Sequence, residues 1–287
     1  MFAIIGLITV IASIIVGYAW NGGHFAVLWQ PGEYLIIVGS GFGAFLLGNP
    51  KQISMPALKS IPLIFRGPRY HKKDYLDLFA ICYLLFKLGK TKGDMALEPH
   101  IEKPAESAIF QQYPAIMKDH EAMDFITAYL RMLTLGVRNA NEVETIMDAE
   151  IDGIAHEKAM YGSALVTMGD SFPALGIVAA VLGVIHTMGA ITEPPEVLGH
   201  LVGAALVGTF CGILVSYGFV GPIGTAVTAA LAGDAEYLRT IKTALLGHMQ
   251  GYAPQISVEF ARKACPPDCR PSFNEVDEMC SKLSLPA

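Results

Sequence analysis

Long apolar runs alternate with polar stretches along the chain, and four of the runs approach the length that a bilayer requires. A membrane core needs about 20 mostly apolar residues in a helix. The second run is short, but Pro31 and Glu33 can sit at the membrane interface and extend it. The pattern predicts four transmembrane helices at roughly Phe2–Trp20, Tyr34–Leu47, Phe172–Ile191 and Leu201–Val220.

Basic residues are confined to the segments between and after these runs. All 20 Lys and Arg residues lie in Lys51–Lys158 and Arg239–Lys282. Basic residues are retained on the cytoplasmic side while apolar helices insert. We therefore expect a multi-pass membrane protein with both termini and the long second connector in the cytoplasm.

This topology divides the chain into four parts. Residues 1–49 hold transmembrane helices 1 and 2, and residues 171–231 hold helices 3 and 4. Residues 50–170 form a cytoplasmic loop, and residues 232–287 form cytoplasmic C-terminal helices. The alternative for the first run is a cleaved signal peptide, but it lacks a basic n-region, and Asn21 to Gly23 read as a tight turn into the next apolar run. We expect the first helix to be retained.

Composition supports a membrane protein and gives no sign of catalysis. The chain is 53% hydrophobic and 16% charged, with a mean hydropathy of +0.44, whereas ordinary soluble domains are about 25% charged. No phosphate-binding loop, nucleophile elbow or cluster of metal ligands occurs in the sequence. We predict no enzyme activity, no cofactor, no metal and no nucleic-acid partner.

The cytoplasmic parts show helical periodicity and no convincing alternating strand, which predicts an all-α module. Leu78–Phe86 is apolar throughout but too short to cross a membrane, so it is interpreted as a buried helix. Asn141 with Glu144, and Ser272 with Glu275, have the spacing of capping boxes. The predicted helices are Ile53–Phe65, Tyr75–Gly89, Pro104–Lys118, His120–Leu135, Glu142–Met168, Asp234–Met249 and Ser272–Leu283.

Cys265 and Cys269 flank two prolines and an aspartate, and two cysteines this close together can form a metal site or a disulfide. The spacing is not that of a zinc knuckle, no histidine lies nearby, and the cytoplasm is reducing. We expect free thiols in a loop.

Small residues four apart occur in two of the predicted spans, a spacing that lets helices approach closely. They are Gly39 and Gly43 in the second span and Ala204, Gly208, Gly212 and Ser216 in the fourth. Pro173 is expected at the start of the third span and Pro222 at the end of the fourth, at the same cytoplasmic depth. Proline is common at both kinds of helix end, so a functional role for the pair stays open from the residues alone.

Polar groups at mid-depth are few. The Thr209 hydroxyl is expected to bond back to its own helix, and His186 is expected near the outer interface. Asp, Glu, Lys and Arg are predicted to be absent at mid-depth, although ionisable groups usually mark intramembrane ion paths. If the protein conducts ions, a partner chain must supply the carboxylate.

Several runs together resemble the MotA family, the stator subunits of the bacterial flagellar motor. They are GDSFPALGIVAAVLG at Gly169–Gly183, VGTFCGILVSYGFVGP ending at Pro222, QPGEYLIIVG at Gln30–Gly39 and GYAP at Gly251–Pro254. The resemblance covers essentially the whole chain. It implies a ring of five subunits around a dimer of MotB, whose single transmembrane helix brings the ion-carrying aspartate, and a cytoplasmic contact with the rotor protein FliG.

The resemblance also assigns roles to particular residues. Pro173 and Pro222 match the two prolines that couple ion passage to conformational change. Glu98 matches the acidic rotor-contact residue, and Lys90 stands where its basic partner is usually arginine, so the charge is kept but the bidentate fork is lost. Thr209 would line the ion path. Sodium-type relatives carry a threonine where this chain has Ala180, so the resemblance implies proton coupling.

Two alternatives remain at this stage. One is an energy-transducing subunit of the ExbB or TolQ type, against which the four-span layout and the Lys90 and Glu98 positions argue. The other is a membrane scaffold that conducts nothing and only anchors a helical domain.

Overall fold

Helices make up all regular secondary structure in residues 2–285, the part of the chain that this computed structural model describes. The predicted all-α class is confirmed. The chain divides into two compact units, formed by residues 2–67 with 157–231 and by residues 68–156 with 232–285. We call the first the membrane unit and the second the polar unit.

Four helical segments are long and apolar enough to cross a bilayer, and each overlaps one predicted span. They are Phe2–Trp20, Phe25–Gly48, Ala140–Gly189 and Pro195–Met249. No residue of the first is buried within the chain, as expected for a helix whose neighbours are lipid tails or other subunits. The protein is therefore membrane-embedded.

The first two spans differ in regularity. Helix α1 (Phe2–Trp20) is unbroken, whereas the second span begins with a short α2 (Phe25–Leu28) and resumes at α3 (Pro31–Tyr34). Helix α3 continues through a π-helical segment, Leu35–Gly39, into α4 (Ser40–Gly48). The second span is thus longer than predicted and interrupted before Pro31, the residue that starts α3.

The predicted helix Ile53–Phe65 is two helices, α5 (Lys51–Ser60) and α6 (Leu63–Arg66). Pro62 lies between them, and a proline has no N–H with which to continue the helical bonding.

The third and fourth spans belong to helices that are much longer than a bilayer. Helix α11 (Ala140–Gly189) has 50 residues and merges the predicted helix Glu142–Met168 with the third span. Helix α12 (Pro195–Ile213) continues through a second π segment, Leu214–Val220, into α13 (Gly221–Met249).

Both prolines differ from their predicted places at helix ends. Pro173 lies in the interior of α11, and Pro222 is the second residue of α13, which follows the fourth span without a break. A proline inside a helix removes one backbone bond and crowds the carbonyl four residues earlier. The π segment Leu214–Val220 lies directly before Pro222. A π turn is one way in which a helix accommodates the missing N–H and the bulk of a proline ring.

The polar unit is built around helix α7 (Lys72–Lys92). Every residue of Leu78–Phe86 is buried there, as predicted. Three 3-10 segments follow α7, at Asp94–Leu97, Pro104–Glu106 and Phe110–Gln112. Five further helices lie wholly in this unit: α8 (Glu98–Glu102), α9 (Pro114–Met117), α10 (His120–Thr134) and, near the C-terminus, α14 (Pro254–Ala264) and α15 (Phe273–Lys282). The start of α11 and the end of α13 also belong to it.

Several sequence-based boundaries in this unit need correction. The predicted helix Pro104–Lys118 is a set of short turns, because Pro104 and Pro114 each start a new one. Helix α14 was not predicted. The capping box at Ser272 is present, with Ser272 accepting from the Glu275 amide. The one proposed at Asn141 is absent, because α11 starts at Ala140 and places Asn141 inside the helix.

The cysteine pair is partly different from the expectation. Cys265 directly follows α14 and is fully buried, rather than lying in an open loop. Burial raises the pKa of its thiol to about 12. The Cys269 thiol lies 3.4 Å from the Tyr70 carbonyl oxygen.

Candidate functional site: a glycine-packed helix pair

The antiparallel pair formed by α11 and α12 is held at backbone contact by glycines. A Cβ placed on Gly176 would lie 2.8 Å from the Gly208 carbonyl oxygen, and one on Gly212 would lie 2.6 Å from the Phe172 carbonyl oxygen. Both distances are below van der Waals contact, so only glycine fits.

The predicted stripe of small residues is largely where it was expected. Gly208, Gly212 and Ser216 are buried, while Ala204 is half-buried and Ala205 instead meets Gly183. In the second span, Gly39 and Gly43 are exposed in the single chain. There the close contact is made by Gly41, against the ring of Phe172.

Ala180 and Thr209 lie at the same level of the helix pair. The Ala180 amide nitrogen is 3.3 Å from the position of a Cβ on Gly208, the residue next to Thr209. Both side chains are half-buried. The expected bond from the Thr209 hydroxyl to its own helix is not found among the described residues, although Thr187 makes such a bond to the Gly183 carbonyl at 2.9 Å. The Thr209 hydroxyl is thus available to another group.

The two prolines do not share one level. Gly169 faces Gly221, and Gly176 faces Gly212, so interpolation puts Pro173 level with about residue 216. Pro222 is then roughly six residues, or about 9 Å, further along the axis. The prediction of equal depth is wrong, because the residue that faces the start of α13 is Gly169 rather than Pro173.

A carboxylate lies in the middle of this pair, where none was predicted. Glu33 Oε2 lies 2.8 Å from the position of a Cβ on Gly208, and Oε1 lies 3.4 Å from that on Gly183. Gly183 is about midway along the charge-free stretch between Asp170 and Glu193. The sequence predicts Glu33 at the interface, where it would extend the short apolar run of the second span. The break between α2 and α3 carries it deeper.

The polar unit presents Lys90 and Glu98 on either side of one turn. Lys90 is exposed near the end of α7, and its Nζ donates to the Gly251 carbonyl at 2.6 Å. Glu98 is exposed in the first turn of α8. Between them, Asp94 is paired with Arg138 at 2.7 Å. Both predicted rotor-contact residues are therefore accessible in the chain.

His248 lies beneath this turn. It is 6% exposed, it stacks on Phe86 with ring centroids 4.5 Å apart, and its Nε2 is 3.8 Å from Asp94 Oδ1. Burial lowers the pKa of His248 below its usual 6.5, and Asp94 offsets part of that effect. A neutral imidazole therefore supports the turn at neutral pH.

Comparison with known proteins agrees with these features. The family model "Motility protein A N-terminal" matches residues 4–93, and that of the MotA/TolQ/ExbB proton channel family matches residues 118–237. Motility protein A of Salmonella typhimurium is 42% identical over 97% of this chain and 94% of its own length. Motility protein A of Escherichia coli is 41% identical over 100% and 97%. Chemotaxis protein LafT of Vibrio parahaemolyticus is 31% identical over 96% of each chain.

Solved structures share the fold. The C. jejuni MotAB structure matches with a TM-score of 0.75 and 20% identity, covering 94% of this chain and 98% of that one. The flagellar MotAB stator complex from Bacillus subtilis matches with a TM-score of 0.67 and 22% identity, covering 89% and 92%.

The chain belongs to the MotA/TolQ/ExbB proton channel family, a class of membrane subunits rather than a class of enzymes. Within that family the prediction of a flagellar stator subunit of the motility protein A type is confirmed.

Proposed function

We propose that five copies of this chain surround a dimer of a MotB-like partner in the bacterial inner membrane and turn proton flow into torque on the rotor. The relatives of known structure are named as MotAB complexes, which supports the partner. The distribution of basic residues supports cytoplasmic termini. Residues 1–49 and 171–231 would then lie in the membrane, and residues 50–170 and 232–287 in the cytoplasm.

The observation that carries the proposal is the α11–α12 pair, which puts Thr209 and Ala180 at one level beside a close glycine contact. A partner aspartate moving along this pair would meet a mostly apolar surface that carries the Thr209 hydroxyl and, beside Gly208, the Glu33 carboxyl. A charged carboxylate is costly in such a groove and its neutral acid is tolerated, so protonation sets which subunit the aspartate faces. With alanine at 180 the second hydroxyl of a sodium cage is missing, which favours protons.

Pro173 and Pro222 would allow the helix pair to change shape. Each lies in a continuous helix and leaves one carbonyl without its usual donor. A helix weakened at these two levels bends there at lower cost than elsewhere.

Torque would leave the protein through the turn that carries Lys90 and Glu98. Both side chains are exposed, and neither forms an ion pair among the described residues. A contact with the rotor protein FliG would be electrostatic and sensitive to salt. No enzyme activity and no cofactor are part of this function.

The test is proton flux into vesicles that hold the chain with its MotB-like partner, together with swimming in cells. We expect partner-dependent flux, and loss of most torque in Pro173→Ala and Pro222→Ala with the complex still assembled. Pro56→Ala is the matched control, because Pro56 also lies inside a helix, in α5. Normal torque in both proline variants would refute the coupling role, and a steep sodium dependence of speed at fixed pH would refute proton coupling.

A separate pair of variants tests the rotor contact. Lys90→Glu should stop rotation without changing flux, whereas Lys92→Glu at the same helix end should leave rotation nearly normal. An ExbB or TolQ type subunit would show flux but no binding to a FliG-like protein. A scaffold would show no partner-dependent flux.

A further inference from the structure

We propose that Glu33 is a second proton-binding carboxyl of the ion path, carried by this chain itself. It would take up a proton from the outer side and release it toward the partner's carboxylate. The inference rests on the function proposed above, but its central observation is independent of that function.

The carboxyl occupies a notch that two glycines cut into the helix pair. Gly183 on α11 and Gly208 on α12 have no side chains, and the Glu33 oxygens lie 3.4 and 2.8 Å from where their Cβ atoms would be. Ala179 Cβ is 3.1 Å from the same point at Gly208. An alanine at 208 would therefore displace the carboxyl.

Inside the notch one oxygen of the carboxyl has no donor to stabilise a charge. Glu33 is half-buried, and its Oε2 is fully buried with no hydrogen-bond partner among the described residues. A carboxylate with a buried oxygen and no donor is destabilised, and such a group takes up a proton instead. The resting form is then the neutral acid.

The titratable groups on the surrounding elements do not supply a counter-charge. Tyr34, on the same helix, bonds through its hydroxyl to the Leu28 carbonyl. On α11 the nearest such group in sequence is His186, which is exposed. On α12 they are Cys211, a buried thiol, and His200, eight residues from Gly208 and exposed.

The site adjoins the candidate path. The Ala180 amide and the Thr209 residue lie beside Gly208, so the acid is one residue removed from the free hydroxyl. The step is a simple proton exchange: a hydronium ion outside protonates the carboxylate and leaves water, and the neutral acid later gives its proton to the partner's carboxylate. No bond between heavy atoms changes.

The direct test is infrared difference spectroscopy of the purified complex. Wild type at neutral pH should show a protonated-carboxyl C=O band that is missing in Glu33→Gln and shifted in Glu33→Asp. Glu196→Gln is the control, because Glu196 is an exposed carboxyl in the first turn of α12. If Glu33→Gln fails to assemble, the shift in Glu33→Asp decides. Absence of a band assignable to Glu33 overturns the proposal.

The functional test is proton flux against outside pH in vesicles with the partner present. Glu33→Gln should lower flux at least tenfold, and Glu33→Asp should recover part of it with a displaced pH profile. Gly208→Ala should resemble Glu33→Gln, whereas Gly203→Ala should not, since its Cβ would meet only Val27 at 3.7 Å. Unchanged flux in Glu33→Gln overturns the proposal. Absent flux in wild type, with the infrared band present, would count against the proposed function instead.

Discussion

The helices of the membrane unit meet through glycines, and those of the polar unit meet through large side chains. In the first, Gly176 and Gly212 bring two backbones into contact. In the second, the largest fully buried side chains include Tyr75, Phe79, Phe86, Phe110, Phe125 and Tyr237. Lipid gives no hydrophobic drive for association, so close backbone packing replaces it. In water, the burial of apolar area drives the helices to associate.

The two units also differ in how they use charge. The polar unit has ion pairs such as Lys242 with Asp148 at 2.8 Å and Arg69 with Asp119 at 3.1 Å. In the membrane unit the deep carboxyl of Glu33 has no partner for its Oε2 within the described residues 2–285. Adding a methyl group at a helix contact should therefore destabilise the membrane unit most. Truncating a buried side chain or lowering the pH should destabilise the polar unit.

The largest expected effect is from one added methyl group. Gly212→Ala would place its Cβ 2.6 Å from the Phe172 carbonyl and 2.9 Å from Gly176 Cα, and neither backbone can yield without separating the helices. We expect at least a tenfold loss of assembled complex on size exclusion, and no swimming. Gly199→Ala on the same helix meets open space and should assemble normally. Equal yields would contradict the glycine-packing account.

The next effect is from removed atoms in the polar unit. Phe86 is fully buried, and Phe86→Ala should cost about 3–5 kcal/mol. Hydrogen exchange of the α7 amides should speed up by about a hundredfold or more, since exchange reports local opening. Phe273→Ala, at a side chain that is 57% exposed, is the control and should change little. A similar response to both would show that the core is not what holds α7.

A smaller effect is expected at the start of α15. The Ser272 hydroxyl accepts from the Glu275 amide at 3.3 Å, and losing such a cap costs about 1 kcal/mol. Ser272→Ala should increase exchange only in the first turn of α15. Ser281→Ala, near the other end of the helix, should leave that turn protected. Faster exchange throughout the unit would mean that the cap supports more than its own helix.

The smallest effect is a pH dependence confined to the polar unit. The pKa of His248 is lowered in the folded state, so the unfolded state binds a proton first as pH falls. The contribution of neutral His248 to the free energy of unfolding is therefore fully present above about pH 6.5 and is lost as the pH falls below it. Exchange of α13 amides near His248, corrected for intrinsic rates, should rise from pH 7 to 5. It should stay flat in His248→Gln, and His120→Gln, at an exposed histidine, should behave like wild type. No change in wild type would contradict the assignment.

Sequence periodicity predicts the helices whose positions depend on the local pattern of apolar and charged residues. Leu78–Phe86 is flanked by charges and too short to span a membrane, and it is the buried centre of α7. The helix His120–Leu135 differs from α10 by one residue. In contrast, Pro104–Lys118 has helical composition, but its prolines divide it into short turns.

Features that depend on tertiary contact were not predictable. Pro173 and Pro222 look like helix-end residues, yet packing against the neighbouring helix keeps both helices continuous. Glu33 precedes the apolar run of the second span and is therefore expected at the interface, but the interruption between α2 and α3 moves it to mid-depth. The depth of the Glu33 side chain depends on the glycines of the neighbouring helices that leave room for it. A single sequence does not reveal these contacts.

The π segment Leu214–Val220 has a consequence for the geometry of the fourth span. A π turn holds about one residue more than an α turn, and one residue corresponds to roughly 100° of rotation. Everything beyond the segment is therefore turned by about that angle relative to an unbroken α-helix. Deleting one residue within Leu214–Val220 would restore ordinary winding, and the residues of α13 would then point in a different direction relative to Thr209.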